Sequence, residues 1–222
     1  MNAFSPKDPI PLTPAGFAEA TNVSRETLCR LETYADLLVK MQKTLNLVGQ
    51  NTLSDIWRRH FLDSAQLLPL LPSLQVDRPV VLLDLGSGAG FPGLILALMT
   101  VSQPLDVHLV ESDTRKCAFL REAARLTETR IHLHNCRIEV LEPFKVDVIS
   151  ARALAPLDRL IPLMAPFLTL PGASPEALLL RGAQGQEELT RGVKGWKMRV
   201  ETIPSITDQQ AMVLRLKDIT LG

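Results

Sequence analysis

A glycine-rich turn between two apolar segments constrains the fold of this chain more than any other feature. The segment VVLLDLGSGAGFPGLILALM (80–99) has the pattern of a buried strand, a tight turn and a buried helix. Glycines at alternate positions, Gly86, Gly88 and Gly90, let the backbone turn sharply and approach a ligand, and the first turn of the next helix presents free N–H groups. The pattern predicts an α/β fold that binds a nucleotide-like cofactor at this turn.

The segments after this turn alternate between strand-like and helix-like patterns. Strands are predicted at 106–111, 131–135 and 146–152, with helices at 114–127 and 156–168 between and after them. This alternation predicts a doubly wound, mostly parallel sheet. Further strands are predicted at 176–182, 197–203 and 211–217; a polar segment separates the first two, and no helical pattern lies between the last two. The last two therefore predict an antiparallel hairpin at the C-terminal end of the sheet.

The N-terminal third is predicted to be helical. Ser24 can cap an amphipathic helix, and a second helix is predicted at about 54–68. The apolar positions of the first helix recur at helical spacing: Leu28, Leu31, Ala35, Leu38 and Leu45. Proline-rich residues 1–13 are expected to form a loose arm. We therefore expect an N-terminal arm and helical cap (1–75) and a core (76–222), packed as one compact unit.

Acidic residues beside the glycine turn help to choose between two cofactors. Gly88, Gly90 and Gly93 satisfy the GxGxxG dinucleotide fingerprint, and Glu111 at the end of the next strand could bind ribose hydroxyls of either cofactor. Asp84, however, places a carboxylate before the turn, where it would repel a pyrophosphate but attract the ammonium group of a methionine. S-adenosylmethionine is therefore favoured, and a dinucleotide-dependent oxidoreductase is the alternative.

Five segments carry a resemblance that is more specific than the glycine turn. In this order, they resemble the RsmG (GidB) family of bacterial 16S ribosomal RNA guanine-N7 methyltransferases: NLVGQNTLSDIWRRHFLDS (46–64), LLDLGSGAGFPG (82–93), VESDTRKCAFL (110–120), NCRIEVL (135–141) and VISARALAPL (148–157). The resemblance covers about residues 45–220. It implies a class I S-adenosylmethionine-dependent methyltransferase fold and methylation of N7 of the guanosine at position 527 in 16S ribosomal RNA.

The resemblance also assigns site residues. It implies that Gly86 and Phe91 contact the cofactor, that Ile138 and Glu139 flank the adenine, and that Arg152 lies beside the methionine end. Guanine N7 carries a free lone pair at neutral pH, so the transfer needs no general base and depends on alignment. We expect Arg152 to be the residue that orients the reaction, by binding the methionine carboxylate, an RNA phosphate or the guanine edge; the alternative is a structural ion pair.

Basic and polar residues outside the turn are candidates for RNA contact. They are Arg58, Arg59, His60, Arg115 and Lys116, although such runs also occur on solvated helix faces. Asp63 and Ser64 are expected to brace the glycine turn by hydrogen bonds. His132, His134 and Cys136 alternate along a strand, but a fourth ligand at a suitable spacing is missing, so no metal site is expected.

Charge and cysteine content limit the possible partners and cellular compartment of the chain. Lys and Arg total 24, equal to Asp and Glu, so contact with 16S ribosomal RNA or the small ribosomal subunit must come from a local patch. Three cysteines without a CxxC pair favour a reducing cytoplasm. We expect a cytoplasmic monomer without a membrane segment. A non-catalytic ribosome assembly factor with the same fold remains open as a further alternative.

Overall fold

A computed structural model describes residues 10–74, 78–192 and 194–222. Its helices are α1 (Pro14–Thr21), α2 (Arg25–Leu45), α3 (Asp63–Ala65), α4 (Gly93–Met99), α5 (Thr114–Leu126), α6 (Leu157–Leu168) and α7 (Gly185–Arg191). Its strands are β1 (Val80–Leu85), β2 (Leu105–Val110), β3 (His132–His134), β4 (Val148–Arg152), β5 (Glu176–Arg181), β6 (Trp196–Pro204) and β7 (Met212–Leu221). Short 3₁₀ turns occupy Gln50–Asp55, Leu68–Leu70 and Ile138–Val140, and a π-helical turn spans Trp57–Leu62.

The seven strands form one sheet in the order β3-β2-β1-β4-β5-β7-β6. The first five strands in this order are mutually parallel, β7 is antiparallel to β5, and β6 is antiparallel to β7. The predicted α/β fold with an antiparallel C-terminal hairpin is therefore confirmed. Because β1 lies between β2 and β4, the chain reverses its winding direction at β1, and the carboxyl ends of all five parallel strands meet along one edge of the sheet.

Apolar side chains cover both faces of the sheet. On one face, β1 and β2 pack against α4 and α5 and against the N-terminal helices; on the other they pack mainly against α6. Phe17, Tyr34 and Phe61 are fully buried between the N-terminal helices and the core. Ser24 caps α2, since its Oγ accepts from the N–H of Thr27 at 3.1 Å. The N-terminal helices thus share one hydrophobic core with the sheet.

One local prediction is wrong, and one helix was not predicted. The predicted single helix at 54–68 is broken, because its middle widens to a π-helical turn in which the N–H of Asp63 donates to the carbonyl of Arg58. The polar segment after β5, for which no helix was predicted, contains α7, in which Glu187 and Arg191 form an i,i+4 ion pair. Apolar periodicity could not reveal α7, since only Gly185 of this helix is buried.

Two features of the predicted organisation fall on residues outside the described ranges. Residues 1–9 of the N-terminal arm are outside them, and so is the boundary between residues 75 and 76. Among the described residues, no helix combines the length and apolar character that a bilayer crossing requires.

Candidate cofactor and substrate site

The glycine turn between β1 and α4 adopts the backbone geometry that the sequence predicts. Gly86 and Gly88 have φ angles of 66° and 58°, a region that side chains with a Cβ disfavour. A Cβ on Gly86 would also lie 2.5 Å from Cδ1 of Leu154, whereas one on Gly88 would come no closer than 3.9 Å to the carbonyl of Gly86. Gly86 needs glycine for both its φ angle and close packing, and Gly88 needs it for its φ angle.

Asp84 braces this turn from inside the protein. Its side chain is fully buried, its Oδ1 accepts from Ser150 Oγ at 2.7 Å, and its Oδ2 accepts from the N–H of Gly93 at 3.3 Å. Burial raises the pKa of Asp84 to about 6, with the hydrogen bond from Ser150 opposing the shift. Asp84 lines neither cavity at the turn, so a direct contact between its carboxylate and the cofactor stays a prediction. In the structure it ties β1, β4 and the start of α4 together.

A cavity of 390 Å³ lies on one side of the turn and contains most of the predicted nucleoside-binding residues. Its lining includes Gly86, Gly88, Glu111, Lys116, Ile138 and Glu139. Oε2 of Glu111 accepts from the N–H of Gly88 at 2.9 Å, and Oε1 accepts from the N–H of Asp113 at 2.7 Å. Since each carboxylate oxygen can accept more than one hydrogen bond, Glu111 is held in place and still has acceptor capacity for hydroxyl groups in the cavity.

A second cavity, of 460 Å³, adjoins the first at the turn. Gly86, Gly88, Lys116 and Ala153 contribute to both. The second cavity is also lined by polar and aromatic side chains from four distant parts of the chain: Thr52, Arg59, His60 and Asp63; Phe91; Arg152; and Thr207 and Asp208. An elongated ligand could therefore lie across the turn, with one end in each cavity.

Arg152, at the carboxyl end of β4, is held by residues around the π-helical turn. Its guanidinium donates to Nδ1 of His60 at 2.6 Å, to Oδ2 of Asp63 at 3.2 Å and to the carbonyl of Arg59 at 3.1 Å. Its Cζ also lies 4.9 Å from the ring centre of Phe91. The guanidinium thus has a fixed orientation at the wall of the second cavity. Its ion pair with Asp63 is the structural ion pair considered above as the alternative role of Arg152, and it does not prevent a contact with a ligand.

His60 is a buried, neutral link in this network. Its ring stacks on Phe91 with centroids 4.9 Å apart, and burial lowers its pKa to about 3, with Arg152 and Arg59 adding to the effect. Because Nδ1 accepts from Arg152, we assign the proton to Nε2, which lies 2.7 Å from Oγ1 of Thr52; this hydroxyl donates to the carbonyl of Gly49 at 2.6 Å. A neutral, enclosed imidazole is unsuited to phosphate contact, which corrects the expectation for His60.

The contacts that brace the glycine turn differ from the predicted ones. Ser64 Oγ donates to the carbonyl of His60, and Asp63 binds Arg152 and the hydroxyl of Thr207, so the prediction that they brace the turn is wrong. Instead, the buried hydroxyl of Tyr34 in α2 donates to the carbonyl of Ala89. Burial raises the pKa of Tyr34 well above its usual value, so it remains a donor. In the sequence, Tyr34 lies on the apolar face of α2, which predicts that it is buried. That position is equally typical of an ordinary core residue, so it does not indicate the hydrogen bond to the turn.

The remaining RNA-contact candidates occupy different environments. Arg59 pairs with Asp208 at 2.8 Å at the wall of the second cavity, and Lys116 lines both cavities. Arg115 is exposed and pairs with Asp113 at 3.4 Å. Arg58 lies outside both cavities, pairs with Asp55 at 3.1 Å and donates to the carbonyl of Ile10. Arg58 is therefore a structural residue, while the other three are accessible to a polyanion.

The histidines of β3 do not form a site with Cys136. Cys136 lines the first cavity, whereas Asp106 and His108 of β2 lie beside His132. Spacing along one strand cannot reveal Asp106 and His108, because the adjacent strand β2 supplies both side chains.

Comparisons with known proteins agree with this architecture. The model of the family described as rRNA small subunit methyltransferase G (GidB) matches residues 27–213. A relative named ribosomal RNA small subunit methyltransferase G from Rhodospirillum rubrum is 54% identical over 209 residues, which cover 94% of this chain and 98% of the relative. One of the same name from Paramagnetospirillum magneticum is 52% identical over 202 residues, covering 91% and 94%.

Solved structures of low identity share the fold. The magnesium protoporphyrin IX methyltransferase ChlM from Synechocystis, with bound S-adenosylmethionine, has a TM-score of 0.56 at 12% identity and covers 87% of this chain and 97% of its own. A point mutant of MtNAS in complex with S-adenosylmethionine has a TM-score of 0.57 at 12% identity, covering 93% and 84%. At this identity the likeness concerns the fold alone.

Proposed function

The chain belongs to the rRNA small subunit methyltransferase G family, and from this we infer that it is an S-adenosylmethionine-dependent ribosomal RNA methyltransferase. We propose that its acceptor is N7 of the guanosine at position 527 in 16S ribosomal RNA. The observation that carries the inference is identity above 50% over nearly the whole length of relatives with this name. The dinucleotide-dependent oxidoreductase, the alternative from the glycine motif, gains no support from these relatives.

The residues of the first cavity fit the nucleoside part of S-adenosylmethionine. The spare acceptor capacity of Glu111 suits the two ribose hydroxyls. The positive φ angles at Gly86 and Gly88 favour glycine, so no side chain stands where a ligand would approach the turn. Ile138 and Glu139 are proposed to flank the adenine, as an apolar and a polar contact. When bound, this cofactor supplies an electrophilic methyl group on a sulfonium centre.

The residues of the second cavity fit the methionine end and the acceptor. Arg152 is fixed by His60, Asp63 and the Arg59 carbonyl, so it can orient an anionic or carbonyl group without first losing side-chain freedom. Phe91 forms the apolar floor beneath it. Because guanine N7 is already unprotonated at neutral pH, we propose that Arg152 and Phe91 act by alignment and that no residue removes a proton before transfer.

We propose a local RNA-binding patch around the mouth of the cavities. Arg59, Arg115 and Lys116 are its members. Arg58 is left out because it pairs with Asp55 and donates to the carbonyl of Ile10, and His60 is left out because it is buried and accepts from Arg152. We further propose a cytoplasmic monomer, with residues 1–75 as arm and helical cap and 76–222 as core. The non-catalytic assembly factor would share the fold and the RNA patch but would transfer no methyl group.

The deciding experiment uses methyl-tritiated S-adenosylmethionine and small ribosomal subunits purified without their guanine-N7 methylation. We expect label on one guanine N7, mapped by nuclease digestion and mass spectrometry. Binding of S-adenosylhomocysteine, measured by calorimetry, is determined on the same preparation. Cofactor binding without transfer to subunits or to protein-free 16S ribosomal RNA would contradict the proposed acceptor, and absence of cofactor binding would contradict the methyltransferase assignment.

A further inference from the structure

Three side chains with metal-ligand chemistry meet on the sheet away from both cavities. Oδ1 of Asp106 lies 2.9 Å from Nε2 of His132, and Oδ2 lies 3.6 Å from Nε2 of His108. One ligand atom from each of the three residues lies within 4.8 Å of the others. None of these residues lines either cavity at the glycine turn. The cluster is therefore separate from the proposed methyltransferase site.

The register of the sheet explains why these residues meet. His108 and His132 are paired neighbours on the parallel strands β2 and β3. Asp106 precedes His108 by two residues, so its side chain emerges on the same face of the sheet. All three ligands thus stand on strands rather than on loops. Backbone hydrogen bonding holds them in place before any ion arrives.

The distances between the ligand atoms suit a shared cation. Zinc binds histidine nitrogen and carboxylate oxygen at about 2.0–2.2 Å in tetrahedral geometry, which separates two ligand atoms by about 3.3–3.6 Å. The distance of 3.6 Å from Oδ2 of Asp106 to His108 falls within this range, and the distance of 2.9 Å from Oδ1 to His132 is shorter and has hydrogen-bond length. The longer one exceeds hydrogen-bond length. The rings of His108 and His132 stack with centroids 4.4 Å apart and an interplanar angle of 17°. One of the two rings must therefore rotate out of this stack before both Nε2 lone pairs can point at one cation.

A third histidine occupies the position of an outer partner. Nε2 of His134 lies 3.0 Å from Nδ1 of His108, and the two rings are inclined by 12°. When Nδ1 of His108 donates this hydrogen bond, its Nε2 keeps a lone pair directed toward Asp106. Histidine ligands of metals commonly donate their second N–H in this way, and the bond fixes the tautomer that binds the ion. Phe144 packs against the ring of His108 at 4.5 Å and shields it from water.

We propose that Asp106, His108 and His132 bind a divalent transition-metal ion of the zinc class, with His134 as the outer hydrogen-bond partner of His108 and a fourth position open to water. The ion would fasten β3, an edge strand of three residues, to β2. The chain after β3 forms the turn Ile138–Val140, part of which lines the first cavity. The metal would thus stabilise one wall of that cavity without touching it, and the proposal stands independently of the methyl acceptor.

The experiment titrates the metal-free full-length protein, after removal of any affinity tag, with Zn²⁺ and with Co²⁺. We expect one equivalent to bind with a dissociation constant below about 1 µM. Co²⁺ should give the visible ligand-field absorption of a four-coordinate site, and Zn²⁺ should raise Tm. In wild-type protein, Zn²⁺ should shift the imidazole ¹⁵N resonances of His108 and His132 while leaving those of His60 unchanged.

Variants separate this site from adventitious binding to thiols. His132→Ala and Asp106→Asn should each weaken Zn²⁺ binding at least about 100-fold, and His134→Gln, which changes only the outer partner, about 10- to 100-fold. The double variant Cys29→Ser/Cys136→Ser should bind as wild type. Circular dichroism and S-adenosylhomocysteine binding check that each variant is folded. Absence of saturable binding to wild type, affinity unchanged by His132→Ala, or affinity lost in the cysteine variant would overturn the proposal.

Discussion

The chemistry of His60 depends on the hydrogen bonds made by each of its ring nitrogens. Arg152 donates to Nδ1, and Nε2 faces Thr52, so the imidazole acts as a spacer that fixes the guanidinium. We predict that His60→Ala lowers kcat about 10- to 100-fold, because Arg152 and Phe91 lose their alignment. His60→Asn should recover part of the loss, since Asn Oδ1 can replace Nδ1 as acceptor. Steady-state kinetics with small subunits measures both variants.

A spectroscopic control distinguishes this positioning role from a general effect on packing. Imidazole ¹⁵N shifts should report a single neutral tautomer with the proton on Nε2, unchanged between pH 5 and 8, because the pKa of His60 is lowered to about 3. Thr52→Val should disturb this tautomer, whereas Thr52→Ser should preserve it. A His60 ring that titrates near pH 6.5 would contradict the assigned network.

The buried carboxyl of Asp84 should give the protein an unusual pH dependence. Its pKa is raised to about 6 in the folded state from 3.8, so the folded protein binds the extra proton and is stabilised as pH falls through this window. The shift of about two units corresponds to at most about 3 kcal/mol. Between pH 7.5 and 4, wild type should therefore gain stability relative to Asp84→Asn, which does not titrate here. Urea unfolding at both pH values measures the difference; a constant difference would refute the raised pKa.

At the scale of elements, helix α2 and the glycine turn are joined through one hydroxyl. Tyr34→Phe keeps the buried ring but leaves the carbonyl of Ala89 without its donor, at a cost of about 1–3 kcal/mol in the free energy of unfolding. The turn should also be held less firmly, so S-adenosylhomocysteine should bind more weakly. Chemical unfolding and calorimetry test this, with Thr33→Ala as an exposed control on α2. If Tyr34→Phe and Thr33→Ala changed the free energy of unfolding and S-adenosylhomocysteine binding equally, the proposed role of the Tyr34 hydroxyl would be contradicted.

The elements that the sequence predicts well are those with an unambiguous apolar pattern. The buried strands β1, β4 and β5 and the helices α2 and α5 are examples. The π-helical turn at 57–62 has no such pattern, because Trp57 and Phe61, which pack into the core, flank three consecutive polar residues, of which Arg59 and His60 line the second cavity. Local sequence therefore located this segment as helical but could not give its geometry.

Some residues of the candidate site can be predicted from the sequence, and others cannot. Arg152 ends β4, and Gly86, Gly88 and Glu111 follow the ends of β1 and β2; parallel topology alone brings such positions to one edge of the sheet. By contrast, Thr207 and Asp208 reach Asp63 and Arg59 from the turn between β6 and β7, more than 140 residues away in sequence. Side-chain pairs of this separation depend on how the C-terminal hairpin packs, and no motif encodes them.

At the scale of the whole molecule, RNA affinity must come from local charge, because Lys and Arg balance Asp and Glu at 24 each. Affinity for unmethylated small subunits should fall with salt, and each lost phosphate contact should reduce the log–log slope by about 0.7–0.9. We predict this reduction for Lys116→Ala and Arg115→Ala. Arg58→Ala is the matched control, since Arg58 pairs with Asp55 outside both cavities and should leave the slope unchanged even if Tm falls. Filter binding at several KCl concentrations gives each slope. If Arg58→Ala lowered the slope as much as Lys116→Ala, the RNA would lie over the helical cap instead of the mouth of the cavities.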